Sequence, residues 1–325
     1  MNHAIKVLAA LGCLGLVPLA LAQSAAGFPN KPVRLIVGVP PGGAADFIGR
    51  IVAQKLSDAF GQNVVVENRG GAGGTIASEI TAKANADGYT LLLSSVTTHG
   101  VGPVLYTRLP YDALKDFTHI GRAANLPMII VVHASVAAKS PRELIELAKA
   151  KPGALNFASS SSGSLPHLVG ELFRARTGAE ITHVPYKGSG PAVVDLAAGQ
   201  VQIMFDAVPS LYGQIKAGRL RVLASVYSKR SNVFPEAPTL AEAGYPGIEG
   251  VIWYGVSGPA GIPREIVTRI NSELNKSLAT QDVAERFAGQ GAVPAPTTPQ
   301  QHTVFVKSEM AKWGPVVKSS GAKVD

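Results

Sequence analysis

Val33-Arg34-Leu35-Ile36-Val37-Gly38-Val39 is a short apolar run that stops at Pro40-Pro41-Gly42-Gly43, and the pattern after it has a different period. The run suits a buried strand of a parallel sheet. Beyond the glycines, Phe47, Ile48, Ile51, Val52, Leu56 and Phe60 fall at the i, i+3, i+4 spacing of a helix with one buried face, and Gly61 stops it. Val64-Val65-Val66 then reads as a second strand. Gly70-Gly71-Ala72-Gly73-Gly74 turns the chain into a helix over 75–84, and Tyr89 to Ser94 is a third strand. Strand, glycine turn and helix repeat, which is the βαβ pattern of a parallel α/β sheet.

The same alternation continues outward. Met128 to Val132, Leu155 to Ala158, Ile181 to Val184, Val201 to Phe205 and Leu220 to Ala224 read as strands. Ser140-Pro141-Arg142-Glu143 is a capping box with proline at the first helical position. Helices follow Ser164, Pro191 and Pro263, and Thr298-Pro299-Gln300-Gln301 caps the last one. At 325 residues the chain has the length of about two domains. No Ser-, Gly- or Pro-rich linker separates two halves, so the chain is expected to cross over and return, near Gly121 to Asn125 and Ile248 to Gly255. That places one α/β domain at 23–124 plus 249–325 and a second at 125–248.

Composition narrows the function. Hydrophobic residues are 46% of the chain and charged residues 16%, enough apolar mass for a sizeable core, which argues against global disorder. The net charge of +8 favours anionic partners in general. No basic run accompanies it, so nucleic acid is not implied. The single cysteine excludes a disulfide framework, and Cys13 falls within residues 1–22, which read as a secretion signal. Lys6 supplies the positive start, Val7 to Leu21 the apolar run, and Ala20-Leu21-Ala22 the cleavage site. Ala10-Leu11-Gly12-Cys13 has alanine where a lipidation site carries leucine, three residues before the cysteine, and no other segment reaches the ~18 apolar residues of a membrane span.

Catalytic and metal signatures are missing: no G-x-S-x-G, H-E-x-x-H or C-x-x-C, and no histidine pair at metal-ligand spacing. The glycine run at 70–74 fails as a dinucleotide fingerprint, because its sixth position is Ile76. The informative features are strand ends that pass through small residues into helix N-termini. There, backbone N–H groups and the helix dipole stabilise a carboxylate or phosphate without a cationic side chain. Pro40-Pro41-Gly42-Gly43-Ala44-Ala45 is the best example, since glycine lets a ligand approach the backbone. Ser159-Ser160-Ser161-Ser162-Gly163-Ser164 is the second, with Ser164 suited to an N-cap. Ser94-Ser95-Val96-Thr97-Thr98-His99 is a third, where His99 reads as a hydrogen-bonded surface or cap histidine. Asp46 suits the first turn of its helix. Asp206, at the strand edge where parallel sheets hold ligands, would fix loop N–H groups or waters. Lys187 is either a counter-charge or a solvated lysine. Trp253 is either core or a cleft wall.

Several ordered blocks resemble a known family, the Bug-type receptors of tripartite tricarboxylate transporters. They are Lys31-Pro32-Val33-Arg34-Leu35-Ile36-Val37 with Pro40-Pro41-Gly42-Gly43 and Asp46; Val65-Val66-Glu67-Asn68-Arg69 with Gly71-Ala72-Gly73-Gly74; and Asp87-Gly88-Tyr89-Thr90-Leu91-Leu92. Leu109-Pro110-Tyr111-Asp112, His183-Val184-Pro185-Tyr186-Lys187-Gly188, Met204-Phe205-Asp206 and Trp253-Tyr254-Gly255 continue the likeness along nearly the whole mature chain.

The resemblance implies a class II periplasmic binding protein fold: two α/β domains with parallel-rich sheets, flanking helices and a ligand cleft between them. It implies a monomeric periplasmic receptor that needs no cofactor or metal. Such a receptor holds a small organic carboxylate and delivers it to the large and small membrane subunits of a transporter, without inserting into the membrane. In the family one carboxylate is held by the loop that is Val39 to Ala45 here, and the opposing domain supplies Ser159 to Ser164 and the region of Asp206. The expected ligand contacts are therefore Val39, Pro41, Gly42, Gly43, Ala44, Asp46, Ser95, Thr97, Ser160, Ser161, Ser162, Ser164, Asp206 and Trp253. Members often carry Gly, Asn or Thr where this chain has four serines, which leaves the ligand's distal group open. Two alternatives stand beside the receptor: a sensor that signals to a two-component kinase, and a serine hydrolase using Ser160 or its neighbours with His167.

Overall fold

The computed structural model describes residues 27–320; the leader, with Cys13 and the cleavage site, lies outside them. β1 (Val33–Val37) is buried at every position but Arg34 and runs parallel to β2 (Val64–Asn68) and β3 (Thr90–Ser95). Between β1 and β2, α1 (Ala44–Phe60) buries Ile48, Ile51, Val52 and Leu56 on one face, the stripe its spacing predicts. A tight turn at Ala72–Gly74 leads into α2 (Thr75–Ala82). After β3, a widened helical turn at Val96–Val101 runs into α3 (Gly102–Leu105).

β4 (Phe117–His133) is far longer than the strand predicted at 128–132. Beyond it come α4 (Pro141–Ala150), β5 (Leu155–Ser159), α5 (Leu165–Thr177), β6 (Ile181–Pro185), α6 (Ser189–Ala197), β7 (Ile203–Ala207), α7 (Val208–Lys216) and β8 (Leu220–Ser225). The Ser140 hydroxyl accepts from the Glu143 N–H at 3.2 Å, and Ser164 caps α5, as the local motifs require. The return passes through β9 (Val251–Pro259), α8 (Arg264–Leu278), α9 (Gln281–Ala288), β10 (Val293–Pro294) and α10 (Pro299–Ser320).

Strand order is β2-β1-β3-β9-β4-β7-β5-β6, with β8 and β10 also on β4. β4 belongs to two sheets. Phe117 to Pro127 pair antiparallel with β9, whereas Met128 to Val132 pair with β7 and Ile129 to His133 with β8. The expected crossovers near Gly121 to Asn125 and Ile248 to Gly255 are therefore largely strand. The chain passes between the halves on extended, ladder-bonded backbone that leaves few groups unpaired.

Candidate functional site

The C-terminal ends of β1 and β3 face those of β5, β6 and β7 across a cleft. This is the edge where open α/β sheets hold ligands. The cleft holds a cavity of about 250 Å³, at the small end of ligand pockets. The first half lines it with Val39, Gly43, Ala44 and Ala45 at the start of α1, Gly71 to Gly74, and Ser95 and Thr97 after β3. The second half contributes Ser160, Ser161, Ser162, Tyr186, Lys187, Ser189 and Asp206.

At the α1 N-terminus the amides have distinct fates. The Gly42 N–H donates to Asp46 Oδ2 at 3.1 Å, and the Ala44 N–H donates to Ser210 Oγ at 3.1 Å. Among the described residues, no protein acceptor meets the amides of Gly43, Ala45 or Asp46. Two of those three residues line the cavity, so partial positive charge faces a space of ligand size. Opposite, Ser160, Ser161 and Ser162 also line the cavity, and no protein partner among the described residues engages their hydroxyls. Among the described residues Lys187, exposed at the rim, is the one cation in the lining and the buried Asp206 the one carboxylate; the rest is neutral donors over apolar walls.

The serine loop is held from behind. Ser161 O accepts from Ser159 Oγ at 2.9 Å and from Ser164 Oγ at 2.7 Å, and Ser160 O accepts from the Gly188 N–H at 2.7 Å. The Gly163 N–H donates to His167 Nδ1 at 2.9 Å. Since the Ser159 proton is used on Ser161, His183 Nε2–H is the donor in its 2.7 Å contact with Ser159 Oγ. His167 and His183 stack at 3.8 Å with 13° between rings, and burial lowers their pKa values to about 4 and about 3. Both rings are therefore neutral near pH 7. Gly163 sits at φ +72°, and a Cβ there would strike Leu105 of the first half.

Asp206 is fully buried, and burial pushes its carboxyl up to about 6 against the hydrogen bonds that lower it. Ser189 Oγ donates to Oδ2 at 2.5 Å and the Ala207 N–H to Oδ1 at 2.7 Å. Asp206 thus organises loop donors, as its sequence position implied.

Nine predicted contacts meet around the cavity: Val39, Gly43, Ala44, Ser95, Thr97, Ser160, Ser161, Ser162 and Asp206. Five do not. Pro41 and Gly42 are exposed beside the mouth. Asp46 turns back on its own turn, accepting from Gly42, Arg50 and Asn68. Burial raises the Asp46 carboxyl, but those hydrogen bonds outweigh it and hold the group below the usual carboxylate range. Ser164 is 1% exposed and serves as the α5 cap. Trp253 is core: it is 1% exposed, and its indole N–H donates to Glu309 Oε2 at 3.0 Å. Its neighbour Tyr254 lines the cavity instead, because successive side chains of a strand point to opposite faces.

His99 is also corrected. It is fully buried, ring to ring with Phe117, Tyr111 and His119, rather than on the surface. Gly71 to Gly74, read from sequence as packing alone, line the cavity as well. A Cβ on Gly73 would meet Tyr106 Oη at 2.8 Å and Ser161 Oγ at 3.7 Å, so the run was a signal of close approach between halves.

Comparison with known proteins agrees along the whole length. The model of the tripartite tricarboxylate transporter family receptor matches residues 48–322. Protein BugT of Bordetella pertussis is 42% identical over 321 residues, 98% of each chain. A solved R. palustris protein with adipate superposes with a TM-score of 0.89 at 37% identity, over 91% of this chain and 100% of that one. MatC from Rhodopseudomonas palustris, with bound malate, gives 0.84 at 30% identity over 89% and 100%. These structures share the two-domain α/β fold of periplasmic binding proteins. With a cleft built from helix N-termini and a family match across most of its length, the chain belongs to the tripartite tricarboxylate transporter receptors.

Proposed function

We propose that this protein is a periplasmic receptor that closes two domains, 23–124 plus 249–325 and 125–248, on a small organic carboxylate. It delivers the ligand to the two membrane subunits of a tripartite transporter and transforms nothing. The observation that carries this reading is the set of unengaged amides at Gly43, Ala45 and Asp46 at the head of α1, beside a cavity of about 250 Å³. Amides and hydroxyls bond a charged acceptor more strongly than a neutral one, and they avoid the cost of an imperfectly paired buried cation. Micromolar affinity requires only about 8 kcal/mol. The neighbours' adipate and malate set the expected chemical class. The receptor is exported and released from its leader near Ala22; among the described residues no helix is long and apolar enough to cross a membrane.

The hydrolase reading needs His167 as base to Ser160 or a neighbour. His167 Nδ1 already accepts from the Gly163 N–H at 2.9 Å, so in the neutral ring Nε2 carries the proton and no lone pair is left to take one from a serine, which does not favour that reading.

A thermal-shift screen over adipate, malate, citrate and benzoate tests the proposal, with Gly43→Leu as the control. A Cβ at Gly43 sits 3.5 Å from Ser189 Cβ and 4.0 Å from Ser210 Oγ, so a larger side chain must enter the cleft. The wild type should be stabilised by at least one acid, and Gly43→Leu should lose that response while unfolding at a similar temperature. A variant that responds like wild type would refute the role of this loop.

A further inference from the structure

The α1 N-terminus is capped from the other side of the cleft. Ser210, on α7, accepts from the Ala44 N–H at 3.1 Å across a separation of 166 residues. Ser210 also lies near enough to the buried Asp206 to help hold that carboxyl's pKa down, and the carboxylate accepts from Ser189 Oγ and the Ala207 N–H. An ionised carboxylate only accepts. It therefore draws the single Ser210 proton toward itself and leaves an oxygen lone pair for Ala44. The flanking surfaces touch as well: a Cβ on Gly43 lies 3.5 Å from Ser189, and one on Gly190 lies 3.4 Å from Pro41 O.

We propose that Ser210, oriented by Asp206, is a latch that caps Ala44 from the opposite domain when the cleft closes, so that the protein itself supplies part of the free energy of closure. The inference rests on the receptor reading, in which a closed form is the one presented to the partner. Asp206 acts through Ser210 and is a positioning residue. The latch takes one amide of the α1 turn and leaves Gly43, Ala45 and Asp46 for a guest. Domain closure and ligand capture thus draw on the same helix terminus without competing for one N–H. A ligand then has to supply only the remaining bias toward the closed state.

The test needs no ligand. Spin labels at Lys83→Cys and Lys151→Cys of the protein freed of its leader, and with it of Cys13, report the interdomain distance distribution after exhaustive dialysis. The account predicts a closed population in the otherwise unaltered protein. Ser210→Ala should lower the closed-to-open ratio by about fivefold, the scale of one neutral hydrogen bond. Ser210→Thr keeps the hydroxyl and should restore the ratio. Asp206→Asn should behave like Ser210→Ala, because an amide N–H facing the serine reverses its hydroxyl and aims a proton at the Ala44 N–H. Melting temperatures of the four proteins separate this effect from a loss of fold. Distances that do not change in Ser210→Ala, Ala and Thr variants that move together, or a reference protein already fully open would each overturn the latch. A negative carboxylate screen with a positive result here would instead reject the ligand class alone.

Discussion

Glycine, serine and tryptophan each show how one side chain decides whether a residue meets the cleft. Gly43, whose amide meets no protein acceptor among the described residues, lines the cavity with Ser160 to Ser162. Trp253 lies one position away from the cavity-lining Tyr254 and faces the opposite way. It packs edge-on against His302 and Phe305 and donates to Glu309. Removing a buried indole leaves a cavity, so Trp253→Ala should cost about 3–5 kcal/mol of unfolding free energy in denaturant melts. Any carboxylate-induced stabilisation should survive in proportion. A variant of unchanged stability that no longer responds to ligand would return Trp253 to the cleft wall.

Between residue and molecule, the elements differ in how legible they were. The β1–α1 unit was plain because a single apolar run, two glycines and a one-faced helix occupy consecutive positions. The capping box at Ser140 was plain for the same reason. β4 was not, since its pairing partner changes at Met128 and its polar residues between Thr118 and Asn125 break the apolar run that marks a buried strand. Trp253 and Tyr254 show a related difficulty within β9: the segment read as a crossover rather than a strand, and along a strand a one-residue shift of face exchanges core for cleft. His99 was misplaced because nothing local says that Tyr111, Phe117 and His119, from later segments, will enclose it.

That enclosure has an element-scale consequence. His99, His119 and His302 pack where β3, β4 and α10 meet, and neither ring nitrogen of His302 has a partner among the described residues. Burial lowers His119 to about 4 and His302 to about 3. Their unfolded values lie near 6.5. As pH falls below 6.5 the unfolded chain takes up protons that the folded chain refuses, so stability declines toward those lowered values. Asp206 has the opposite sign: its raised carboxyl protonates first in the folded state, so acidification from about 6 favours folding at that one group. Five histidines oppose it, the buried His99, His119, His167 and His302 and the half-buried His183, and the net slope should be a loss. His302→Leu should flatten the fall in unfolding free energy between pH 6.5 and 4.5, by up to about 1.4 kcal/mol per pH unit for one proton. An unaltered slope would show that this ring is charged in the folded protein.

On the scale of the whole molecule, two sheets share β4 and their strand ends face each other. Three things converge at the cleft: open amides on α1, free hydroxyls after β5, and a serine from α7 that already bridges the halves. The family resemblance was legible across the chain because its blocks coincide with strand ends and glycine turns, where backbone geometry restricts the residue. The bridging role of Ser210 was not, because it depends on the distance between two segments 166 residues apart.

In the receptor proposed above, backbone N–H groups at the start of α1 hold the anionic end of the guest. Amide nitrogen–proton correlation spectra, recorded while each acid of the screen is titrated in, test it most directly. For any acid that binds, the Gly43, Ala45 and Asp46 resonances should move downfield in proton and saturate together with the serine loop. Saturable binding that leaves those three signals in place would contradict it.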